Sequence, residues 1–269
     1  MPNNIEQYTG YYWVTKQSTT SARETGQPLT AGVRIKNADD RPPFMVVCEE
    51  IQTLIVLANE WPGSLWRVRV VTSGDMSGTI PNIWYRRASE IELIEKLPAG
   101  ALFGFQGDKI VDLLNQIMTL TSSEVDALYA NKANNSCAEE AYTRAWKCWN
   151  KNLKYPRSHS YEGGMTIASP DFRHDNEKSP TNHGFSLISD LIWRLAREID
   201  GSKAFIEHLE YGETELELNP RWRAVSTAFL CKAMAISMSQ HISATDVAAL
   251  TQAWSSVFEQ EESRRQKCE

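Results

Sequence analysis

Three of the five histidines lie close together, in a stretch of sequence without regular periodicity. His159, His174 and His183 fall between residues 155 and 184. An imidazole has an unperturbed pKa of about 6.5, so two such groups can serve as general acid and general base near neutral pH. The pattern makes His159 and His174 candidate catalytic residues for metal-free RNA cleavage. The alternative is a set of solvent-exposed loop histidines with no fixed mutual geometry.

A row of basic residues leads into this stretch. Four of its members are spaced three or four apart and so occupy one face of a predicted helix that ends near Lys154, and the fifth follows that helix: Arg144, Lys147, Lys151 and Lys154, then Arg157. Such a row can contact phosphates, with Trp149 or Tyr155 as a stacking surface for single-stranded bases. The alternative is a solvated helix face, with buried tryptophans behind it and the acidic run from Glu207 to Glu217 as its docking partner.

Other ligand-binding patterns are missing from the sequence. The spacings from Cys148 to the histidines match no paired metal-ligand motif. The Gly-x-Gly-x-x-Gly pattern and the P-loop pattern, which bind phosphates, are both absent. The sequence therefore predicts no metal and no cofactor. The net charge of −6 also disfavours nonspecific nucleic-acid binding by the whole surface. A polyanion site would have to be a local patch.

The first 105 residues have the texture of strands and turns. Aromatic and β-branched runs alternate with glycine and proline at the short spacing of an antiparallel sheet, and one helix is predicted at 49–60. The segment from Trp66 to Val70 alternates apolar and basic residues, so Arg67 and Arg69 are expected on the face opposite the core. Residues 1–105 are therefore predicted to form a β-rich domain.

After residue 105 the hydrophobic period changes to that of helices, which predicts a helical domain over 106–269. Two segments in it, 120–128 and 242–250, match position by position, each with Ser or Thr caps followed by an acidic residue. The Pro- and Gly-rich segment 155–184 interrupts the helices and is expected to be a long mobile loop. Together the two halves predict an α+β fold.

One acidic segment resembles a known enzyme family. Glu90-Ile-Glu92 is similar to the E-x-E strand and turn of mono-ADP-ribosyltransferases, and the segment 18–21 resembles their S-T-S segment. The resemblance implies NAD bound in a sheet cleft, with Glu92 orienting the nucleophile. It covers about the first 105 residues. The alternative is an edge strand with exposed acids on a small structural sheet.

These features rank three functional hypotheses. The leading one is a noncatalytic, protein-binding or assembly subunit, because no coherent catalytic set emerges and the nine tryptophans could supply interface anchors. Nucleic-acid binding or cleavage ranks second, and NAD-dependent transfer ranks third. Widely spaced cysteines, odd in number, indicate reduced thiols, and the N-terminal residues 1–10 lack the pattern of a secretion signal. We therefore expect a cytoplasmic protein without a membrane span.

Overall fold

A computed structural model shows how the two halves of the chain fold. It describes residues 8–15, 29–37, 44–54, 58, 60–73, 85–132, 136–150, 184–210 and 213–265. These residues divide into two compact units, with the boundary between Gly104 and Phe105. The first unit is built on a sheet and the second is mostly helical, so the predicted α+β class is confirmed.

The first unit is an antiparallel sheet that closes on itself. Its strands are β1 (Thr9–Thr15), β2 (Arg34–Lys36), β3 (Met45–Cys48), β4 (Gly63–Ser73) and β5 (Tyr85–Leu97). Strand β1 pairs with β3 and β4, and β5 pairs with both of these strands, so four strands form a ring to which β2 is added beside β5. A short helix, α1 (Ile51–Leu54), follows β3, and a 3₁₀ turn (Ala99–Phe103) follows β5.

The alternation of apolar and basic residues in β4 places them on opposite faces of the strand, as predicted. Trp66, Val68 and Val70 are buried inside the ring, whereas Arg67 and Arg69 lie on its outer face. Strand β5 is one strand of 13 residues. Ala88, Ile91 and Leu93 are buried on its core side, and Glu90 and Glu92, on either side of Ile91, lie on the opposite face.

The second unit is mostly helical. Its helices are α2 (Gly107–Met118), α3 (Ser122–Ala130), α4 (Ser136–Asn150), α5 (Phe185–Asp200), α6 (Pro220–Met238) and α7 (Ala244–Arg265). Helix α6 is the central one, since α2, α3, α4, α5 and α7 all pack against it. Its buried residues lie all around its circumference, as expected of a core helix. Within the described ranges, no helix is both long and apolar enough to cross a bilayer.

The two matching segments are helix starts, as their capping signature predicts. Thr121 accepts a hydrogen bond from the backbone N–H of Glu124 at 3.3 Å, and the Glu124 carboxylate accepts from the Thr121 N–H at 2.7 Å. Ser243 likewise accepts from the backbone N–H of Asp246 at 3.1 Å. Helices α3 and α7 thus begin with the same cap, but the two acidic residues use their carboxylates differently.

A hairpin within the helical half was not predicted. After a 3₁₀ turn (Gly201–Ala204), β6 (Phe205–Glu210) pairs antiparallel with β7 (Glu213–Leu218). Its base is held by the buried Leu218 and by Phe205, whose ring lies 4.9 Å from that of Trp193. Glu207, Glu215 and Glu217 of the acidic run are exposed on these two strands. The alternation Glu-Thr-Glu-Leu-Glu-Leu at 213–218 was the strand signal.

Candidate functional site

A groove of about 1060 Å³ opens on the surface of the helical unit, between α2, α3, α6 and α7. Its apolar floor consists of Leu113, Ala235, Ile236, Val247, Trp254 and Phe258. Its walls carry amides and hydroxyls, among them Gln106, Asn115, Gln116, Ser239 and Thr251. The charged lining residues are Lys109, Asp112, Glu124 and Lys232. The groove therefore combines an apolar floor with polar walls whose charges balance.

Helix α2 has an apolar face that packs into the core of the unit and a polar face that forms one wall of the groove. Its apolar residues at 110, 113, 114 and 117 are buried in the core of the unit. Its polar groove residues, Lys109, Asp112, Gln116 and Thr119, are spaced three, four and three apart and so form a second stripe beside the buried one. The amphipathic pattern of α2 was visible in the sequence, but its polar stripe reads as ordinary solvated surface until the other helices are placed.

The centre of the groove is organised around Trp254 of α7. Its indole N–H donates to the Gln116 side-chain oxygen at 2.9 Å, and the Lys232 ammonium lies 3.7 Å from the centroid of its ring. The ring of Phe258 packs 5.2 Å away, and Lys232 also approaches Glu259 at 3.8 Å. The ammonium on its ring, the neighbouring phenyl ring and the hydrogen bond from its N–H together fix the orientation of the indole.

One end of the groove is closed by a contact between α2 and α6. Gln106 precedes α2 in the left-handed region, with φ of 56° and ψ of 25°. Its amide donates to the Ser239 hydroxyl at 2.7 Å, and that hydroxyl donates to the Ile236 carbonyl at 3.0 Å. A residue other than glycine holds this conformation at some cost in energy, so the surrounding contacts must stabilise it.

The structure places only part of the basic row. Arg144 donates from Nε and Nη2 to the same oxygen of Asp246, at 3.1 and 2.7 Å, and from Nη1 to Glu140 at 3.4 Å. Arg144 thus pairs with Asp246 in the first turn of α7 and not with the acidic run from Glu207 to Glu217. Lys147 is exposed on α4, with Trp146 and Trp149 buried behind it. Lys151, Lys154 and Arg157 lie outside the described residues.

The Arg144 pair makes stability depend on pH. The hydrogen bond from Arg144 holds the pKa of Asp246 below its ordinary value. Hydrogen bonds from Ser243 also lower this pKa, whereas partial burial of the carboxylate raises it. As the pH falls, Asp246 is therefore protonated first in the unfolded chain, at a pH of about 4. The contribution of the pair to stability is complete above that pH and disappears as the pH falls through the lower pKa of the folded state.

We therefore expect Asp246→Asn to lower the free energy of unfolding near neutral pH. As the pH falls below about 4, the difference in this free energy between variant and wild type should shrink progressively. Urea unfolding followed across this pH range measures the difference. The variant Asp108→Asn, at an exposed position of α2, is the matched control. An offset between Asp246→Asn and wild type that stays constant with pH would contradict the assignment.

The acidic pair of the first unit lies on the outside of the sheet. Glu92 approaches Arg69 on β4 at 3.7 Å, and Glu90 approaches Arg34 on β2 at 3.4 Å. The Thr72 hydroxyl also donates to Glu90 at 3.5 Å. Strand β5 has neighbours on both sides, so these acids lie on an inner strand and each pairs with an arginine across the sheet.

The three clustered histidines, His159, His174 and His183, lie outside the described residues. In the described part of the chain, no group of three or more His, Cys, Asp or Glu side chains is arranged to hold a metal ion. Sequence reasoning missed the groove entirely, since its walls come from residues as far apart as Gln106 and Phe258.

Comparison of the chain with protein-family models, with curated proteins and with solved structures found no match. Function is therefore inferred from the geometry and chemistry of the groove and of the surfaces around it.

Proposed function

We propose that the protein is a noncatalytic binding subunit of a cytoplasmic assembly and that the groove of the helical unit receives a segment of a protein partner. The observation that carries this proposal is the groove itself, with Trp254 held in a fixed orientation at its centre. Rigid aromatic anchors in apolar pockets contribute a large share of the energy at protein interfaces. The indole is ordered before binding, so little conformational entropy is lost when a partner covers it.

The size and shape of the groove favour a peptide over a small ligand. Small-molecule sites measure roughly 300 to 1000 Å³ and enclose most of the ligand. This groove, at about 1060 Å³, reaches the upper limit of that range and is open along one side. It follows α2 from Gln106 to Thr119, a helical length of about 20 Å. A segment several turns long fits these dimensions.

The charges in the groove favour a polypeptide over a nucleic acid. Two cations and two carboxylates line it, so it presents no excess of positive charge to phosphates. Arg144, the first cation of the basic row, is already hydrogen-bonded to two carboxylates. Nucleic-acid binding through that row and NAD-dependent transfer through Glu92 stay predictions from the sequence, and no contact described above favours either.

The proposal is tested by filling the groove without disturbing its core. Thr251 lies on the groove face of α7, and its hydroxyl donates only to the backbone carbonyls of its own helix, so Thr251→Arg places a long charged side chain over the floor. Exposed Ala248 on the same helix is not part of the lining, so Ala248→Arg adds the same side chain outside the groove. Both variants are expected to fold.

A partner is first identified by cross-linking in the native host, and its affinity is then measured with both proteins purified. We expect Thr251→Arg to weaken binding at least about 30-fold, the effect of losing an interface hot spot, and Ala248→Arg to change it less than about threefold. If the purified partner binds Thr251→Arg as tightly as wild type, the groove is not the docking site.

A further inference from the structure

The orientation of the Gln116 side-chain amide is fixed by its hydrogen bond with Trp254. An indole N–H can only donate, so the atom that lies 2.9 Å from it must be the amide oxygen. The amide nitrogen therefore points away from the indole, with its two N–H donors. In the described part of the chain no group accepts a hydrogen bond from this nitrogen. Among these residues, Gln116 thus presents donors without acceptors at the centre of the groove.

A partner that covers Trp254 also covers this amide. Gln116 lines the groove, is half-buried and touches the indole N–H, so a side chain that packs on the ring removes water from the amide. A donor that loses water without gaining an acceptor weakens binding about tenfold or more. A partner that uses the indole as its anchor must therefore bring an acceptor oxygen to this point.

A positive charge lies beside the same indole. The ammonium of Lys232 is 3.7 Å from the centroid of the Trp254 ring, and the lysine side chain is only 18% exposed. Glu259 approaches this ammonium at 3.8 Å, which is longer than a charge-assisted hydrogen bond, and its own side chain is 58% exposed to water. The attraction between these two groups is therefore screened, and the ammonium can attract a further anion.

The two carboxylates that line the groove have other neighbours. Glu124 accepts hydrogen bonds from the backbone N–H and the hydroxyl of Thr121, both at 2.7 Å, in the cap of α3. Asp112 is exposed one turn from Lys109, a spacing at which opposite charges attract each other. The groups that contact the indole, the Gln116 amide and the Lys232 ammonium, both favour an oxygen, and a carboxylate oxygen most strongly.

On the basis of the proposed function, we propose that the partner segment carries an aspartate or glutamate among apolar residues, and that its carboxylate binds beside Trp254. There the carboxylate accepts from the Gln116 amide and is attracted by the Lys232 ammonium. The apolar neighbours of the acid cover the floor of the groove. Gln116 is then the residue that makes the groove specific for an acidic side chain over an apolar or basic one.

Random peptides displayed on phage, about twelve residues long and so able to follow α2, are the probe. They are selected on the full-length wild-type protein, and those that bind Thr251→Arg equally well are discarded because they do not occupy the groove. We expect the remaining peptides to be enriched in Asp or Glu next to large apolar residues. Enrichment of Lys or Arg, groove-dependent peptides without an acid, or an absence of groove-dependent peptides would each overturn the inference.

The tightest of these peptides, made synthetically with a fluorescent label, then tests Gln116. The variant Gln116→Glu keeps an oxygen for the Trp254 N–H and replaces the two donors by a carboxylate, so it is expected to fold. In fluorescence anisotropy we expect it to bind the peptide about 30-fold more weakly than wild type. It should also prefer the version of the peptide in which the acid is replaced by lysine, a reversal that a merely structural role of Gln116 would not produce.

Asn115→Asp is the matched control for the added charge. It makes the same change from amide to acid at the neighbouring position, which is exposed and also lines the groove. We expect it to change the affinity less than about threefold, because water and salt screen an exposed charge. Equal losses from the two variants would show that the donors of Gln116 are not responsible, and would overturn the inference.

Failure of this inference and failure of the proposed function give different results. If Thr251→Arg weakens binding of the purified partner but Gln116→Glu does not, the groove is a docking site whose specificity does not come from this amide. If Thr251→Arg leaves the affinity of the partner unchanged, the proposed function is wrong, and the peptides alone decide whether a carboxylate binds beside Trp254.

Discussion

Replacing Asp200 by alanine is expected to lower the free energy of unfolding of the protein by about 2 to 4 kcal/mol. Asp200 ends α5, and one of its oxygens accepts hydrogen bonds from Arg221 and, at 2.7 Å, from the indole N–H of Trp222. Trp222 is completely buried at the start of α6. Alanine would leave this N–H without an acceptor in the core and remove the inner partner of Arg221.

Asp126 provides the matched control. It accepts from the same arginine at 2.7 Å, but its side chain is 65% exposed, whereas that of Asp200 is 25% exposed. Asp126→Ala should therefore cost less than about 1 kcal/mol, as exposed ion pairs do. Urea unfolding of both variants, followed by tryptophan fluorescence and circular dichroism, gives the comparison. Equal costs would show that Asp200 and its bond to Trp222 do not hold α5 to α6.

In the first unit, Gly63→Ala is expected to cost about 3 kcal/mol. A methyl group at Gly63 would overlap the indole ring of Trp13. That ring cannot easily move, because it stacks on Trp61 with centroids 5.8 Å apart and its N–H donates to the Glu60 carbonyl at 3.1 Å. The sheet must then either shift β1 away from β4 or displace the stacked pair.

A double-mutant cycle separates this overlap from the backbone effect of replacing glycine. In a Trp13→Leu background the ring is absent, so the additional cost of Gly63→Ala should fall to less than about 1 kcal/mol. Thermal or urea unfolding of the four proteins measures the coupling. If the cost is the same in both backgrounds, steric conflict with Trp13 is not the cause.

Local chemistry determined which elements the sequence predicted correctly. The alternation from Trp66 to Val70 and the caps at Thr121 and Ser243 depend on neighbours a few residues away, and the structure contains the strand and both helix starts. The hairpin at 205–218 was not predicted because its glutamates are typical of a charged surface, although those at 213–217 alternate with Thr and Leu as in a strand. Closure of the sheet was also missed, since it depends on β5 pairing with strands distant in sequence.

The candidate sites were harder to predict for a related reason. Arg144 was correctly placed on a helix, but its partner Asp246 is 102 residues further along the chain. The groove likewise joins side chains from four helices, and the position of Trp254 depends on Gln116 and Lys232 from two of the others. A single sequence carries the period of each helix but not the distances between helices.

The projecting hairpin also bears on how copies of the protein behave in concentrated solution. Among the described residues no further strand pairs with either side of this two-stranded sheet, and a second copy could add its own strands there. On this hairpin Glu207, Glu215 and Glu217 are exposed next to the apolar Ile206 and Leu216. Edge-to-edge stacking of two copies would bring the Glu207 and Glu215 carboxylates together, and we expect their repulsion to oppose self-association through this hairpin.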